Sequence, residues 1–544
     1  MIGLRLGRRV SLIDPRPFGD TAVVFAVRAP DAAGALAEAV RSAGVPGVVD
    51  VVGGLESVLV HFDPDRCDAE GLAHDLVGIR ARRTGRNRRT VVLRTCFDGP
   101  DLEEVGELSG LGSEGVRRAL CSVALRVSFL GFTPGFAYLS GLPGSLATVP
   151  RRHSPRQRVP AGSVALAGGH AAVYPQATPG GWQLVGRSDA VLFDPDVPPY
   201  AVLRPGDTVR FEAVEPEELA APSVAPGPPV RRAELGVFSV HSAGTLTTLQ
   251  DRGRLGFAYL GVPRAGAADP VSYSLANALL GNLPGSACLE VTAAGPELVC
   301  HRETHVAVVG GDVAVTLDRR PVGNGRVVPV APGQRLQVGQ TGRDLRAYVA
   351  VRGGFATPAV LGSQSSDRLV GLGGGPLAPG DELAAGEPVG FMADHLRPEA
   401  AAGSPDRRVL RVLPFGSGWS DQLFGPVFSV EPASDRVGIR LSALDHAPVA
   451  GPAGPGVSAG TTTGTVQVPP DGNPVVLGPD HATVGGYPVG GVVISADWGE
   501  LGRCRPGDRV ELVPVDAGEA DAARRALERS RFAAVVGQYP LRAD

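Results

Sequence analysis

Three stretches of the chain carry residue types able to handle an anion. Residues 129–187 set Phe132, Phe136, Tyr138 and Trp182 among glycines and prolines, with Arg151, Arg152, Arg156, Arg158 and Arg187 beside them. Glycines such as Gly180 and Gly181 leave backbone N–H groups unobstructed. An arginine next to them can hold a carboxylate or phosphate by paired hydrogen bonds. The stretch reads as an anion-binding rim on a barrel mouth, and equally as a tight turn cluster with solvated arginines. Residues 247–270 gather Gln250, Asp251, Arg252, Arg254 and Asp269 in a glycine-rich loop. Residues 466–497 hold Gln467, Asp471, Asp480, His481, Thr483 and Asp497, with Gly485, Gly486 and Tyr487 between them. Carboxylates near a histidine can act as general bases or bind Mg²⁺. Asp251, Asp471 and Asp480 are therefore the candidate catalytic carboxylates, although each taken alone also suits a turn. Nothing in the spacing specifies a metal.

Other chemistries are excluded. The chain contains no lysine; all 52 basic side chains are arginine. It therefore has no P-loop lysine, no Schiff-base lysine and no lysine to carry biotin. His301 and His305 sit four apart, but their segment runs into a strand, which holds them too far apart for one metal. H-E-x-x-H, G-x-S-x-G and Walker A patterns are absent, and the 371–375 glycine run is not a G-x-G-x-x-G.

The elements that must position these loops are mostly short strands. Glycine (75) and proline (49) make up just under a quarter of 544 residues, spread between apolar runs, which predicts many turns between many strands. Residues 18–92 predict a small α/β unit. It has strands at 22–27, 48–52 and 57–62, and helices at 31–42 and 67–83. The basic run 80–89 reads as a solvated helix end. A β-rich region follows over 93–214. The Pro/Ala/Glu-rich segment 215–234 is a linker candidate. A second β-rich region covers 235–399 and 409–515, divided near 400–408, and 516–544 has helical composition.

Three Pro-Gly-Asp turns, at 205–207, 379–381 and 506–508, each lead into an alternating strand. Gly162 and Gly464 start similar strands upstream of two of them, and Tyr174-Pro175 and Tyr487-Pro488 follow. These features suggest one β module used twice.

Charged residues are 20% of the chain and net charge is −4, against nucleic-acid binding over the whole surface. No apolar stretch is long enough to span a bilayer. The start, 1–17, has arginines but no apolar core, so no secretion signal is expected. Six scattered cysteines without a C-x-x-C pair suit a reducing cytoplasm.

Longer motifs carry a resemblance to a known family. Residues 129–187 resemble subunit 1 of the allophanate hydrolase/urea carboxylase type, which also occurs as the B-type subunit of 5-oxoprolinase and in a bacterial sporulation-kinase inhibitor. The marks are FLGFTPGF, VPAGSV, YP and TPGGWQL. Residues 246–508 resemble the partner domain, the C-type subunit of 5-oxoprolinase. Its marks include TTLQDRGR, GVPRAGAADP, SLANALLGN, LEVTAAGP, VRGGF, SDRVGIRL, VQVPPDGNP and GGYP. The chain is similar to a natural fusion of the two.

The resemblance implies a mainly β fold of tandem cyclophilin-like barrels: one after the α/β domain and a pair in the C half. It implies ATP-dependent opening of 5-oxoproline to glutamate, with Mg²⁺, a small cyclic amide as substrate and a separate A-type subunit. It also offers carboxyltransfer to urea with biotin proteins in trans, or a regulator that binds a histidine kinase. Further pairing of fused chains stays open. The substrate- or phosphate-binding set this suggests is Arg151, Arg156, Arg187, Gly180, Gly181, Gln250, Arg254, Gln467, Thr483, Gly485, Gly486 and Tyr487. The sequence departs from the family pattern at His170-Ala171-Ala172, at 363–366, at Gly375-Pro376, at 480–488 and in a shortened 414–428 loop. Those departures point to a drifted substrate or reduced activity.

Overall fold

The computed structural model describes residues 9–29, 32–82, 89–220, 236–397, 407–416, 418–452 and 456–536. Most of the linker at 215–234, most of the divider near 400–408, much of the basic run 80–89 and the ends of the chain lie outside the described residues.

The N-terminal unit is a five-stranded sheet with two helices. Strands Ala22–Val27, Val48–Gly53 and Ser57–Phe62 form where β-branched residues alternate, and helix Ala33–Ala43 packs Leu36 and Val40 onto them. The second helix is shorter than the sequence predicts. It runs over Ala69–Val77, with the Asp68 carboxylate accepting from Gly71 N, and stops at Gly78. Residues Arg80–Arg82 then form an edge strand against Arg9–Pro17. Helical spacing persists past Gly78, but strand pairing with a distant segment wins there.

Two seven-stranded barrels carry the same plan. In the first, the spatial order is Thr90–Thr95, Thr208–Ala213, Leu125–Leu130, Ala137–Ser140, His170–Val173, Ser163–Ala167, Gln183–Arg187, with a Cys96–Arg187 bridge joining the edges. In the second it is Arg407–Pro414, Arg509–Pro514, Val427–Val430, Gly438–Ala443, Val475–Leu477, Thr465–Gln467, Val489–Val493, closed. In both, the first and last strands of the module pair in parallel.

The Pro-Gly-Asp turns explain part of this likeness. Asp207, Asp381 and Asp508 each accept a hydrogen bond from the backbone N–H three residues earlier, and each N–H bonds back to that residue's carbonyl. The glycines before them sit at φ near +90°, open only to glycine at low cost. Gly162 and Gly464 also correspond, since their carbonyls accept from Ser188 and Val493, at the ends of matching strands. The two Tyr-Pro pairs do not correspond. Tyr174 follows strand His170–Val173, whereas Tyr487 precedes Val489–Val493, so their alignment in the sequence is coincidental.

Between these barrels, residues 236–397 pack a seven-stranded and a five-stranded sheet around their own core, which includes Phe238, Leu289, Leu298, Val308 and Val349. One further core belongs to no single unit. Phe18, Val52 and Leu59 from the small sheet meet Phe129, Tyr138, Tyr174 and Trp182 of the first barrel and Val484 and Val492 of the second. The N-terminal and C-terminal halves therefore share buried apolar surface.

Helix Ala517–Ala534 matches its sequence composition and starts with a reciprocal Asp516/Glu519 cap. It bridges units. Arg524 pairs with Asp65, while Arg531 Nε donates to Ser274 Oγ at 3.0 Å on helix Pro270–Leu279. Replacing Arg524 and Arg531 together by alanine is expected to lower stability by about 1–2 kcal/mol. A denaturation midpoint equal to wild type would mean the helix is only apposed.

Candidate functional site

A cavity of about 360 Å³ opens at the junction of the two halves. The small sheet contributes Asp50 and His61 from neighbouring strands. The loop after strand Leu246–Gln250 contributes Arg252, Arg254 and Arg264. The second barrel contributes Thr461, Thr462, His481, Thr483 and Trp498, and the C-terminal helix contributes Arg524, Glu528 and Arg531.

The loop at 251–254 is built around one carboxylate. Asp251 accepts from Ser363 Oγ and Ser365 Oγ, both at 2.6 Å, from Gln364 N at 2.7 Å and from Gly253 N at 2.8 Å. A Cβ at Gly253, where φ is +87°, would lie 2.5 Å from the Arg264 carbonyl, so the turn demands glycine. That turn delivers Arg254, whose backbone N–H bonds Arg264 O at 2.7 Å. The Arg254 side chain is 1% exposed, and Nη2 donates to the Ser365 carbonyl. Its Nε and Nη1 are buried without a partner, as is Thr483 Oγ1.

A second carboxylate system stands behind the loop. Arg436 Nε and Nη2 bind Asp480 at 2.9 and 2.7 Å, Nη1 binds Glu290 at 2.6 Å, and Nη2 also binds the Gly266 carbonyl at 2.7 Å. Glu290 further accepts from Tyr348 Oη and Ala268 N. All three charged side chains are buried. Nearby, burial pushes the Asp367 carboxyl up to about 8, aided by the Asp480 charge.

Asp50 accepts from Gly256, Ala258 and Val51 N–H groups, yet burial lifts it to about 6. Burial, with His481 and Arg264 close by, presses His61 down to about 3, and burial presses His481 down to about 4. Thr461 Oγ1 lies 3.1 Å from His481 Nδ1. Both rings are neutral at pH 7, so the arginines give the cavity net positive charge. Because both values are lowered on folding, the stability that the neutral rings contribute is complete above about pH 6.5 and is lost as pH falls toward 4. In proton NMR, the ring signals of His61 and His481 are expected to hold still from pH 8 to 5. Titration of either near 6.5 would refute this.

The sequence-derived candidates divide into three places. Arg254 and Thr483 line the cavity, and Asp251 and Asp480 lie close enough to act on the Arg254 charge. Gln250 is buried beside them, its amide donating to Thr248 Oγ1 and Ser366 O. A second group lies where the first barrel meets the second. Arg151 donates to Ser458 Oγ at 3.3 Å and approaches Gly486 so closely that a Cβ there would meet it at 2.8 Å. Gly485 packs on Gln467, Tyr487 is 41% exposed, and a Cβ at Gly180 would meet the Tyr174 hydroxyl at 2.4 Å. The Gly181 carbonyl accepts from Arg152 N. The remaining candidates stand apart. Arg156 donates two hydrogen bonds to the Asp101 carboxylate, Arg187 binds Asp98, and Asp471 caps an exposed turn at Asn473.

Sequence reasoning missed His61, Asp50, Arg264 and the helix arginines. Two signals were available. Residues 461–463 are three consecutive threonines between glycines, and 524, 527, 528 and 531 fall on one helical face.

Among the described residues no three His, Cys, Asp or Glu side chains gather to hold a metal, and all six cysteines are free. No helix among them is long and apolar enough to cross a membrane.

Duplicated barrels joined through a charged junction define a class of two-part β-barrel proteins. Residues 13–203 match the family "Carboxyltransferase domain, subdomain C and D", and 260–514 match "Carboxyltransferase domain, subdomain A and B". The chain belongs to this carboxyltransferase-domain family, with regions related to the B-type and C-type subunits of 5-oxoprolinase joined in one polypeptide. It is 31% identical to the C-type subunit of 5-oxoprolinase from Escherichia coli K12 over 54% of this chain and 96% of that protein. It is 39% identical to the B-type subunit of 5-oxoprolinase from E. coli O157:H7 over 36% of this chain and 92% of that protein. The urea amidolyase of Lachancea kluyveri is 29% identical over 55% of this chain, which spans only 18% of that enzyme. The crystal structure of TTHA0988 superposes with a TM-score of 0.81 at 32% identity, covering 93% of this chain and 99% of that one.

Proposed function

We propose that this chain is the fused B–C component of an ATP-dependent 5-oxoprolinase that works with a separate A-type subunit. The observation that carries the reading is the cavity that both halves line, in a chain covering nearly all of the B-type and C-type subunits. A lactam carbonyl is a poor electrophile, and ATP supplies a phosphoryl group that turns the lactam oxygen into a leaving group. Water then adds to the carbon and the ring C–N bond breaks, the nitrogen leaving as the amine, to give an acyl phosphate that a second water hydrolyses to glutamate and phosphate.

The chain's residues suit the anions in this scheme. Arg254 and Arg264, with the threonine hydroxyls, form a wall that favours carboxylate or phosphoryl oxygen. Mg²⁺ would enter with the phosphates, since it commonly takes few protein ligands. The neutral His61 and His481 would keep the wall from gaining further charge.

The test is phosphate release by the chain mixed with the A-type subunit of its own genome. Release that rises on adding 5-oxoproline supports the reading; no rise rejects it. The urea amidolyase likeness favours a second reading, carboxyltransfer with a biotin protein in trans. That reading requires urea-dependent consumption of carboxybiotin, which the same mixture with a biotin protein would reveal.

A further inference from the structure

We propose that Asp50, on the small N-terminal sheet, is a positioning residue for loop 251–267 of the C-terminal half, so that the N-terminal unit sets the wall of the junction cavity. The proposal rests on the reading above only for the identity of the substrate.

Asp50 sits in strand Val48–Gly53 and is 8% exposed. Its Oδ1 accepts from Val51 N at 3.0 Å, within its own strand. Its Oδ2 accepts from Gly256 N and Ala258 N, both at 3.0 Å, across 206 and 208 positions of the chain. Hydrogen bonds to a buried carboxylate are stronger than neutral ones and hold their donors in place. Among the described residues, no other hydrogen bond ties 255–258 to another unit. Helix Ala33–Ala43 adds a contact beside this anchor, where the Arg41 guanidinium lies 3.5 Å from the centre of the Tyr259 ring.

The held stretch belongs to the cavity. Leu255 and Ala258 line it, and so do Arg252 and Arg264, two exposed arginines on the arms of the same loop. The arms are joined by Arg254 N, which donates to Arg264 O at 2.7 Å, and by Arg264 Nε, which donates to Arg252 O at 3.4 Å. The far side of the loop is fixed elsewhere. The Leu260 carbonyl accepts from Gly135 N of the first barrel at 2.8 Å, and Ala265 N donates to the Pro479 carbonyl of the second barrel at 3.0 Å. Asp50 is thus the anchor between Arg254 and Leu260. Releasing Gly256 and Ala258 frees the middle of the loop, and with it the spacing of the two arginines.

Hydrogen exchange of the full chain, followed by mass spectrometry, reads the loop directly. In Asp50→Ala, peptides covering 254–261 should exchange at least about tenfold faster than in wild type, while strands of the second barrel keep their rates. Asp50→Asn keeps one carbonyl oxygen for the two N–H groups and should fall between the two. It carries the comparison should Asp50→Ala fail to fold. With the A-type subunit added, Asp50→Ala should raise KM for 5-oxoproline by about fivefold or more and leave kcat within about twofold, and Asp50→Asn should recover most of that loss. Unchanged exchange at 254–261, or faster exchange spread evenly over the chain, would overturn the proposal. A fall in kcat at constant KM would also overturn it, because Asp50 would then act on the reacting atoms. If wild type does not turn over 5-oxoproline, the lactam reading fails and the exchange rates alone decide the role of Asp50.

Discussion

Arg436→Met is expected to destabilise the protein by about 3–5 kcal/mol, the largest effect of any single substitution considered. Arg436 joins three segments distant in sequence. It binds Asp480 through two nitrogens, Glu290 through a third hydrogen bond, and the Gly266 carbonyl. Removing it leaves buried Asp480 without its ion-pair partner, while Glu290 keeps Arg346 at 3.4 Å, and methionine offers neither donor nor charge. Denaturant midpoints would measure the loss. Restoring neutrality with Asp480→Asn in the same chain should recover a substantial part of it, because the cost lies in the uncompensated charge. A double variant no better than Arg436→Met would show that packing of the guanidinium dominates.

Asp251→Ala is expected to cost about 3 kcal/mol and to abolish oxyanion binding together. Four hydrogen bonds converge on this carboxylate, each to a charged acceptor and so stronger than a neutral pair. Their loss frees the 363–365 segment, whose Ser365 carbonyl positions Arg254. Asp251→Asn keeps the shape and part of the bonding, so it should lose less stability and retain some binding. If Asp251 instead takes a proton from substrate or water, Asp251→Asn would abolish turnover while leaving the denaturation midpoint and ligand affinity near wild type. The two roles are thereby separable in one variant.

The barrels were legible because their signal is local. A Pro-Gly-Asp turn needs a positive-φ glycine and an Asp that bonds back three residues, and both appear in a short window. The same holds for strand Ser57–Phe62 and for helix Ala517–Ala534, where alternation or helical spacing suffices. The edge strand Arg80–Arg82 was not legible, because its pairing partner lies about 70 residues away and no local rule announces it.

The site was legible only in part, for the same reason. Arg254 and Thr483 sit in glycine-rich stretches that look like binding loops, and they do meet at one cavity. His61 hides in an ordinary strand, SVLVHF, and becomes notable only when the second barrel brings His481 beside it. Asp480 looks like a free acid in the sequence, because its partner Arg436 is 44 positions earlier. Arg156 looks like a free cation because Asp101 lies 55 positions before it. Charge pairing across the fold decides which polar groups stay available, and spacing along the chain does not record it.

The proposed role of the junction cavity is to open a cyclic amide at the expense of ATP. The most direct test measures glutamate and phosphate together, using the A-type subunit with the wild-type chain and, in parallel, with Thr483→Val. Wild type is expected to give one glutamate per phosphate, dependent on 5-oxoproline, and the variant to lose about threefold or more in kcat/KM for 5-oxoproline. Phosphate release indifferent to 5-oxoproline, phosphate without glutamate, or an unchanged kcat/KM in Thr483→Val would contradict that role.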